Sequence, residues 1–453
     1  MGAIINNIEV WQWGLVIASS VALFLLSPWS KTSGQFFAAK TKEKQPNWLM
    51  LTGSLVISWV FAKSIANASD LGNKFGAVGG LAYAAYYLSF IVAGVIIYYM
   101  RVKGKLKSIH LFLNERFGKR ALQLFSLIIA FRLFNEIWSN TMVIGSYFGE
   151  QGSTAYYASI LVFTALTLAY TIKGGLRSSI FSDLIQMGLF AVLLTVILSF
   201  LMKEESFQFS EIARSGSFTY DGGINLLFAA LIQSFSYPFH DPVMTDRAFI
   251  TKPKVMLWSF IAAGVIGGIC IFLFSFLGIF GKMQGMEPGN LSDYGKVFGP
   301  VLLLLINFIM IVSAASTLDS SFASFSKLVA IDLGVGKSVR IGRLTMIVVA
   351  VLGSVPIFFN PSVLSATTVS GTMVIGLTPV FLFWKMKAPP SSFYLSVLGG
   401  MCIGIIHAFG SFPELLIFTD GPYAALLWAN IFGVLLCVFL YLLPYGLKLK
   451  SEI

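Results

Sequence analysis

The stretch from Ser313 to Ser326, SAASTLDSSFASFS, carries the residue types best able to do chemistry in this chain. Ser313, Ser316, Thr317, Ser320 and Ser324 stand at i, i+3, i+4, i+7 and i+11, a spacing that aligns side chains on one face of an α-helix. Asp319 lies beside them, and the surrounding residues from 297 to 331 are otherwise largely apolar. In hydrocarbon, a carboxylate and a row of hydroxyls are costly unless they face a cavity, a partner helix or an ion. Hydroxyl, carboxylate and carbonyl oxygens are the hard ligands that suit a small alkali cation stripped of its water. Serines also let membrane helices pack closely and bond back to their own backbone. Taken alone, the ribbon fits packing as well as it fits ion binding.

Other polar groups interrupt apolar runs at separate points. Residues 59–80, WVFAKSIANASDLGNKFGAVGG, contain Lys63, Ser64, Asn67, Ser69, Asp70, Asn73 and Lys74. A helix broken here would expose carbonyls, tolerable at membrane depth only where backbone lines a cavity. The alternative is a helix that ends early in a polar loop at Asp70 to Lys74. Arg132, Asn135 and Glu136 share one run; Arg132 and Glu136, at i and i+4, can neutralise each other, or Arg132 can receive a solute carboxylate. Asp183 follows the basic turn of KGGLRSSIFSDLIQ and is expected either to pair with a basic residue or to ligate a cation with the ribbon. Gln233, Ser234 and Ser236 precede Pro238 and Pro242, which must kink or break their helix; Gln233 is the polar group expected at a solute. His240 and Asp241 are expected to finish that span.

The elements that must position these groups are membrane spans. The chain has 453 residues, 57% hydrophobic and 11% charged, against roughly 25% charged in soluble proteins. Apolar runs near the roughly 20 residues needed to cross a bilayer occur at 10–29, 48–70, 76–100, 121–147, 154–172, 178–202 and 222–246. They continue at 255–281, 297–331, 342–359, 363–384, 391–410 and 421–446, making thirteen. Basic residues occupy every second connection: Lys31 to Lys44, Arg101 to Arg120, Lys173 and Arg177, Arg247 to Lys254, Lys337 to Arg343, and Lys385 with Lys387. The intervening connections are neutral or acidic, as in 203–221. By the positive-inside rule the N-terminus is expected outside and the C-terminus, with Lys448 and Lys450, in the cytoplasm of a cell-membrane protein. The net charge of +11 then reflects topology rather than a nucleic-acid surface. No basic region precedes the first run, so a retained helix is expected there rather than a cleaved signal. Cys270, Cys402 and Cys437 have neither disulfide nor metal-site spacing.

Three stretches, in order, resemble the sodium:solute symporter family, which includes carriers of proline, glucose, iodide and sialic acid. These are GGLRSSIFSDLIQ, DPVMTDRAFITKPK and ASTLDSSFASFSKLVAIDL. The resemblance implies an all-α polytopic membrane protein with a LeuT-type 5+5 inverted repeat and about thirteen transmembrane helices. On it, 1–47 is an extra N-terminal helix and basic loop, 48–202 the first repeat, 203–221 an extracellular loop, 222–384 the second repeat, and 385–453 two C-terminal helices with a short tail. The broken first helix of each repeat would line a central site. It implies a first sodium held by carbonyls of Ala62, Ile65 and Ser313 and hydroxyls of Ser316 and Thr317. It implies a second, in some members, at Asp183, Ser316, Asp319 and Ser320. Asp319 departs from the serine usual there, which leaves one sodium or two; Lys63, beside a proposed ligand, is also unusual and could crowd the cation, pair with Asp183 or snorkel to lipid.

The function expected is sodium-coupled symport of a small polar organic solute by alternating access, with Asn67, Ser69, Arg132, Asn135, Gln233 and Ser236 as solute-binding candidates. The carboxylate-bearing class (an amino acid such as proline, sialic acid or a monocarboxylate) is expected first, a sugar or polyol second. The partners implied are the solute, sodium and the bilayer, with no nucleic acid and no obligate protein partner. A membrane enzyme would need a nucleophile, base and orienter, yet the only histidines, His110, His240 and His407, stand apart from any such set. A transporter-like sensor or channel is the other alternative.

Overall fold

The computed structural model describes residues 8–40, 45–204, 207–287, 299–359 and 371–452. Among these all regular structure is helical. Ten helices among the described residues are long and apolar enough to cross a membrane, or eleven counting one bent pair as a single span. The chain is a multi-pass membrane protein. The helices used below are α1 (Ile8–Leu26), α2 (Trp48–Trp59), α3 (Ala62–Phe75), α4 (Ala77–Val102), α5 (Lys119–Gly145), α6 (Thr154–Gly174) and α7 (Leu176–Leu201). They continue with α8 (Asn225–Gln233), α9 (Pro242–Arg247), α10 (Pro253–Met283), α11 (Pro300–Lys327), α12 (Val339–Ser354), α13 (Leu377–Leu382), α14 (Pro390–Ala408) and α15 (Ala424–Glu452).

The difference from thirteen spans has two local causes. The run at 222–246 is divided into α8, a 3₁₀ turn over Tyr237–His240 and α9, because Pro238 and Pro242 cannot donate to a helical ladder. Of the run at 363–384, residues 363–370 lie outside the described residues, and with them Thr367, Thr368 and Ser370.

Helix ends follow local chemistry. Asn47 caps α2, its side chain accepting from the Met50 N–H. Pro300 opens α11, where its missing N–H costs nothing. Gly175, at φ +60°, turns the chain between α6 and α7 in a conformation few residues but glycine adopt. The second span is bent by 60° between α2 and α3. Val60 and Phe61 leave helical dihedrals there, at ψ 64° and 166°. The polar stretch Asp70 to Lys74 is not a loop: α3 continues through it to Phe75, with Lys74 Nζ 2.8 Å from Asp70 Oδ2 on an exposed face.

The chain forms two compact units: Met1–Leu81, Leu133–Ser217 and Ile269–Pro361 in the first, and Ala82–Arg132, Phe218–Gly268 and Ser362–Ile453 in the second. Each draws residues from both expected repeats. In the first unit α7 packs along α2 and α11, and α11 also meets α6, α12 and α1. In the second, α14 runs along α15, and α8 packs on α15. Gly400 and Gly404 let α14 approach the backbone at Gly376 and Met373, where a Cβ would stand 2.6 Å from each amide nitrogen, the close packing expected of that spacing.

One contact in the first unit sets a stability prediction. A Cβ on Gly278 of α10 would fall 1.7 Å from the Ser69 carbonyl oxygen of α3. Neither atom is a flexible side-chain end, so the helices would have to separate. Gly278→Ala is expected to destabilise the protein by on the order of 3 kcal/mol, read as a lower melting temperature in detergent; an unchanged value would contradict this packing.

Candidate functional site

In the first unit, two carboxylates from different helices lie in adjoining sets of serine hydroxyls. Asp183 of α7 accepts from Ser54 Oγ of α2 at 2.5 Å on Oδ2 and from Ser316 Oγ of α11 at 2.6 Å on Oδ1. Asp319 of α11 accepts from Ser179 Oγ at 2.8 Å and Ser182 Oγ at 2.7 Å, both on α7. Ser320 extends the Asp319 half toward α2: its Oγ lies 3.1 Å from Ser179 Oγ, 3.3 Å from Asp319 Oδ1 and 3.2 Å from Ser58 Oγ, which donates to the Ser54 carbonyl at 2.7 Å. Asp183, Asp319, Ser316 and Ser320 are fully buried. Hydroxyl donors soften the desolvation of a carboxylate but supply no opposite charge. Two such groups, each ringed by hydroxyls, form an oxygen-only donor set, the chemistry that suits a small hard cation.

Asp183, Ser316, Asp319 and Ser320 are thus brought together. The others implied as sodium ligands sit differently. Thr317 Oγ1 bonds back to the Ser313 carbonyl at 3.2 Å, while Ser313 Oγ is buried with no hydrogen-bond partner among the described residues. Ala62 is the first residue of α3, and the Ile65 N–H donates to the Phe61 carbonyl at 3.1 Å, so both lie in the first turn after the break. A helix end leaves its last carbonyls without intrahelical donors; at this break those belong to the end of α2. Lys63 does not snorkel to lipid. It is 3% exposed, and its Nζ lies 3.4 Å from Ser139 Oγ of α5 and 5.6 Å from the centroid of the Phe61 ring.

The solute-binding candidates divide between the units. In the first, Asn67 and Asn135 are half-buried, and Ser69 is buried with its carbonyl against Gly278. In the second, Gln233 donates through Nε2 to Asn430 Oδ1 at 3.1 Å and Thr372 Oγ1 at 3.3 Å, and Ser236 Oγ donates to the Gln233 carbonyl at 3.2 Å. Arg132 donates to Asp241 Oδ2 at 3.0 Å and Tyr237 Oη at 2.7 Å, its guanidinium 4.7 Å from the Tyr237 ring centroid. Glu136, for its part, accepts from Asn140 Nδ2 at 3.0 Å. His240 and Asp241 are both buried, and Asp241 caps the restarted helix α9.

Sequence reading passed over Ser54, Ser58, Ser179, Ser182 and Asn430, and read Asp241 only as the end of a span. A signal existed for the first four. Ser54 and Ser58 stand at i and i+4, and Ser179, Ser182 and Asp183 at i, i+3 and i+4, the same one-face spacing that marked the ribbon.

A helical membrane protein with spans broken in this way has the LeuT-type fold. Solved structures agree on that fold. A substrate-bound, outward-open Na+-coupled sialic acid symporter superposes with a TM-score of 0.74 over 97% of each chain at 16% identity. MhsT in complex with L-phenylalanine gives 0.59 over 89% of this chain and 99% of its own, at 14% identity.

The sequence relatives are narrower in extent. Residues 44–219 match the model of the sodium:solute symporter family, and it is this family that the chain resembles. Mouse (Mus musculus) solute carrier family 5 member 4A is 28% identical over 216 residues, 45% of this chain and 30% of its own length. Mouse sodium/glucose cotransporter 1 is 25% identical over 197 residues, 42% of this chain and 28% of its own. The matches therefore span less than a third of those relatives.

Proposed function

We propose that this protein is a secondary active transporter that couples inward sodium movement to uptake of a small polar organic solute by alternating access. The observation that carries this reading is the buried oxygen cluster in which Asp183 and Asp319 are each bound by serine hydroxyls, drawn together from three helices. Sodium is a substrate here. One ion would be held by Ala62, Ile65, Ser313, Ser316 and Thr317, and a second, where present, by Asp183, Ser316, Asp319 and Ser320. The protein would lie in the cell membrane with its N-terminus outside, in keeping with the alternation of basic connections.

Coupling requires that sodium and solute each bind one state of the carrier better than the other. A potential of 100 mV supplies about 2.3 kcal/mol per charge, enough to concentrate solute roughly fiftyfold per sodium. The test is uptake into proteoliposomes under an imposed sodium gradient, with potassium as control. Absence of gradient-dependent uptake of any carboxylate, sugar or polyol in the panel would refute symport. In the same assay Thr317→Ala is expected to raise the half-saturating sodium concentration by about tenfold, the loss of one oxygen ligand at roughly 1.4 kcal/mol.

Two solute classes are supported. The planar, buried guanidinium of Arg132 suits a carboxylate, and the structural neighbour at 97% coverage is a sialic acid symporter. Asn67, Ser69, Asn135, Gln233 and Ser236 are the hydrogen-bonding candidates for either class. A neutral sugar or polyol is favoured by one specific observation: Arg132 already faces the carboxylate of Asp241.

A further inference from the structure

Asp241 performs two separable tasks with its two carboxylate oxygens. Oδ1 accepts the backbone N–H groups of Val243 at 2.9 Å and Met244 at 3.3 Å, capping α9. Oδ2 accepts from the Arg132 guanidinium at 3.0 Å. Both side chains are nearly buried, at 7% and 3% exposure, so little solvent screens their attraction. Beside them runs a ledge of half-buried aromatic rings. Tyr83 and Tyr86 are edge to face with centroids 5.7 Å apart, Tyr237 lies 6.5 Å beyond Tyr86, and Arg132 covers Tyr237.

Such a ledge offers a solute both ring faces and phenolic hydroxyls, and ends at a guanidinium that already holds a carboxylate. An anionic solute would have to displace Asp241 or share its guanidinium against like-charge repulsion. A neutral hydroxylated solute meets a pair whose charges cancel. We propose that Asp241 is a specificity-determining residue: by occupying Arg132 it selects against anionic solutes and for neutral polar ones. This rests on the symport reading and names the solute class of that same transporter.

The substitution Asp241→Asn separates the two tasks, because asparagine caps helices as well as aspartate does but carries no charge. The full chain in detergent with sodium would be titrated with pyruvate and N-acetylneuraminate, and with glucose and myo-inositol, reading thermal shift and Kd. Asp241→Asn is expected to lower the Kd for at least one of the two carboxylates by about tenfold or more, without a matching gain for the neutral solutes. The double variant Arg132→Gln/Asp241→Asn is expected to lose that gain. Should the asparagine variant fail to fold, Asp241→Ser, also a good cap, is read by the same criterion. No gain for either carboxylate, an equal gain for neutral solutes, or a gain that survives in the double variant would overturn the assignment. Symport itself stands or falls separately, on sodium-driven uptake by the unmodified protein.

Discussion

Asp183→Asn is expected to reduce sodium-driven uptake by about a hundredfold or more while leaving the protein folded. The carboxylate accepts from Ser54 on one oxygen and from Ser316 on the other, at 2.5 and 2.6 Å. The amide keeps the size and one acceptor, and a serine hydroxyl can rotate to accept from its NH2 group, so helices α2, α7 and α11 stay joined. What is lost is the charge that would offset a dehydrated cation. Removing one partner of a buried charged set costs about 3–5 kcal/mol, which is a factor of over a hundred in binding. Uptake in proteoliposomes, alongside a melting curve, separates loss of sodium binding from loss of fold. A variant with unchanged half-saturating sodium would sink the assignment of this cluster to the ion.

The second large effect concerns protons. Asp319 lies in the Ser179–Ser320–Ser58 hydroxyl chain and Asp183 between Ser54 and Ser316, the chain meeting the Asp183 side at the Ser54 carbonyl, with no solvent at either carboxylate. At the sodium site proposed here, sodium and a proton would compete for these carboxylate oxygens. Where one bound proton is displaced per sodium, linkage makes the half-saturating sodium concentration rise about tenfold for each unit that the pH falls. Asp319→Asn removes one of the two charges, and is expected to flatten that dependence to less than about twofold per pH unit. Sodium titrations of uptake at several pH values would read both. A steep dependence that persists in the variant would place the competing proton elsewhere.

Much of this molecule was legible in the sequence because its signals are local. The length and apolarity of the runs mark the spans, and the phase of Ser313, Ser316, Thr317 and Ser320 marks one face of α11, since both follow from the rise and turn of a single helix. Pro238 and Pro242 marked a break for a reason that resides in the proline ring. The helical phase of Ser54 and Ser58 was equally available, but phase along one helix says nothing about which neighbour the face meets. Ser54 is 129 residues from the carboxylate it touches, and Ser182 is 137 from its own.

Arg132 illustrates the same limit. The sequence offers Glu136 one turn away, whereas the packed helices bring in Asp241 from 109 residues along the chain. The break at Val60 and Phe61 contains neither glycine nor proline, so no local rule could locate it to the residue. The sequence by itself therefore determined which helices exist and which of their faces are polar. Tertiary packing alone decided which polar faces meet, because that depends on the rotation of each helix against the others, and with it whether Arg132 is left for a solute or held by a carboxylate of its own.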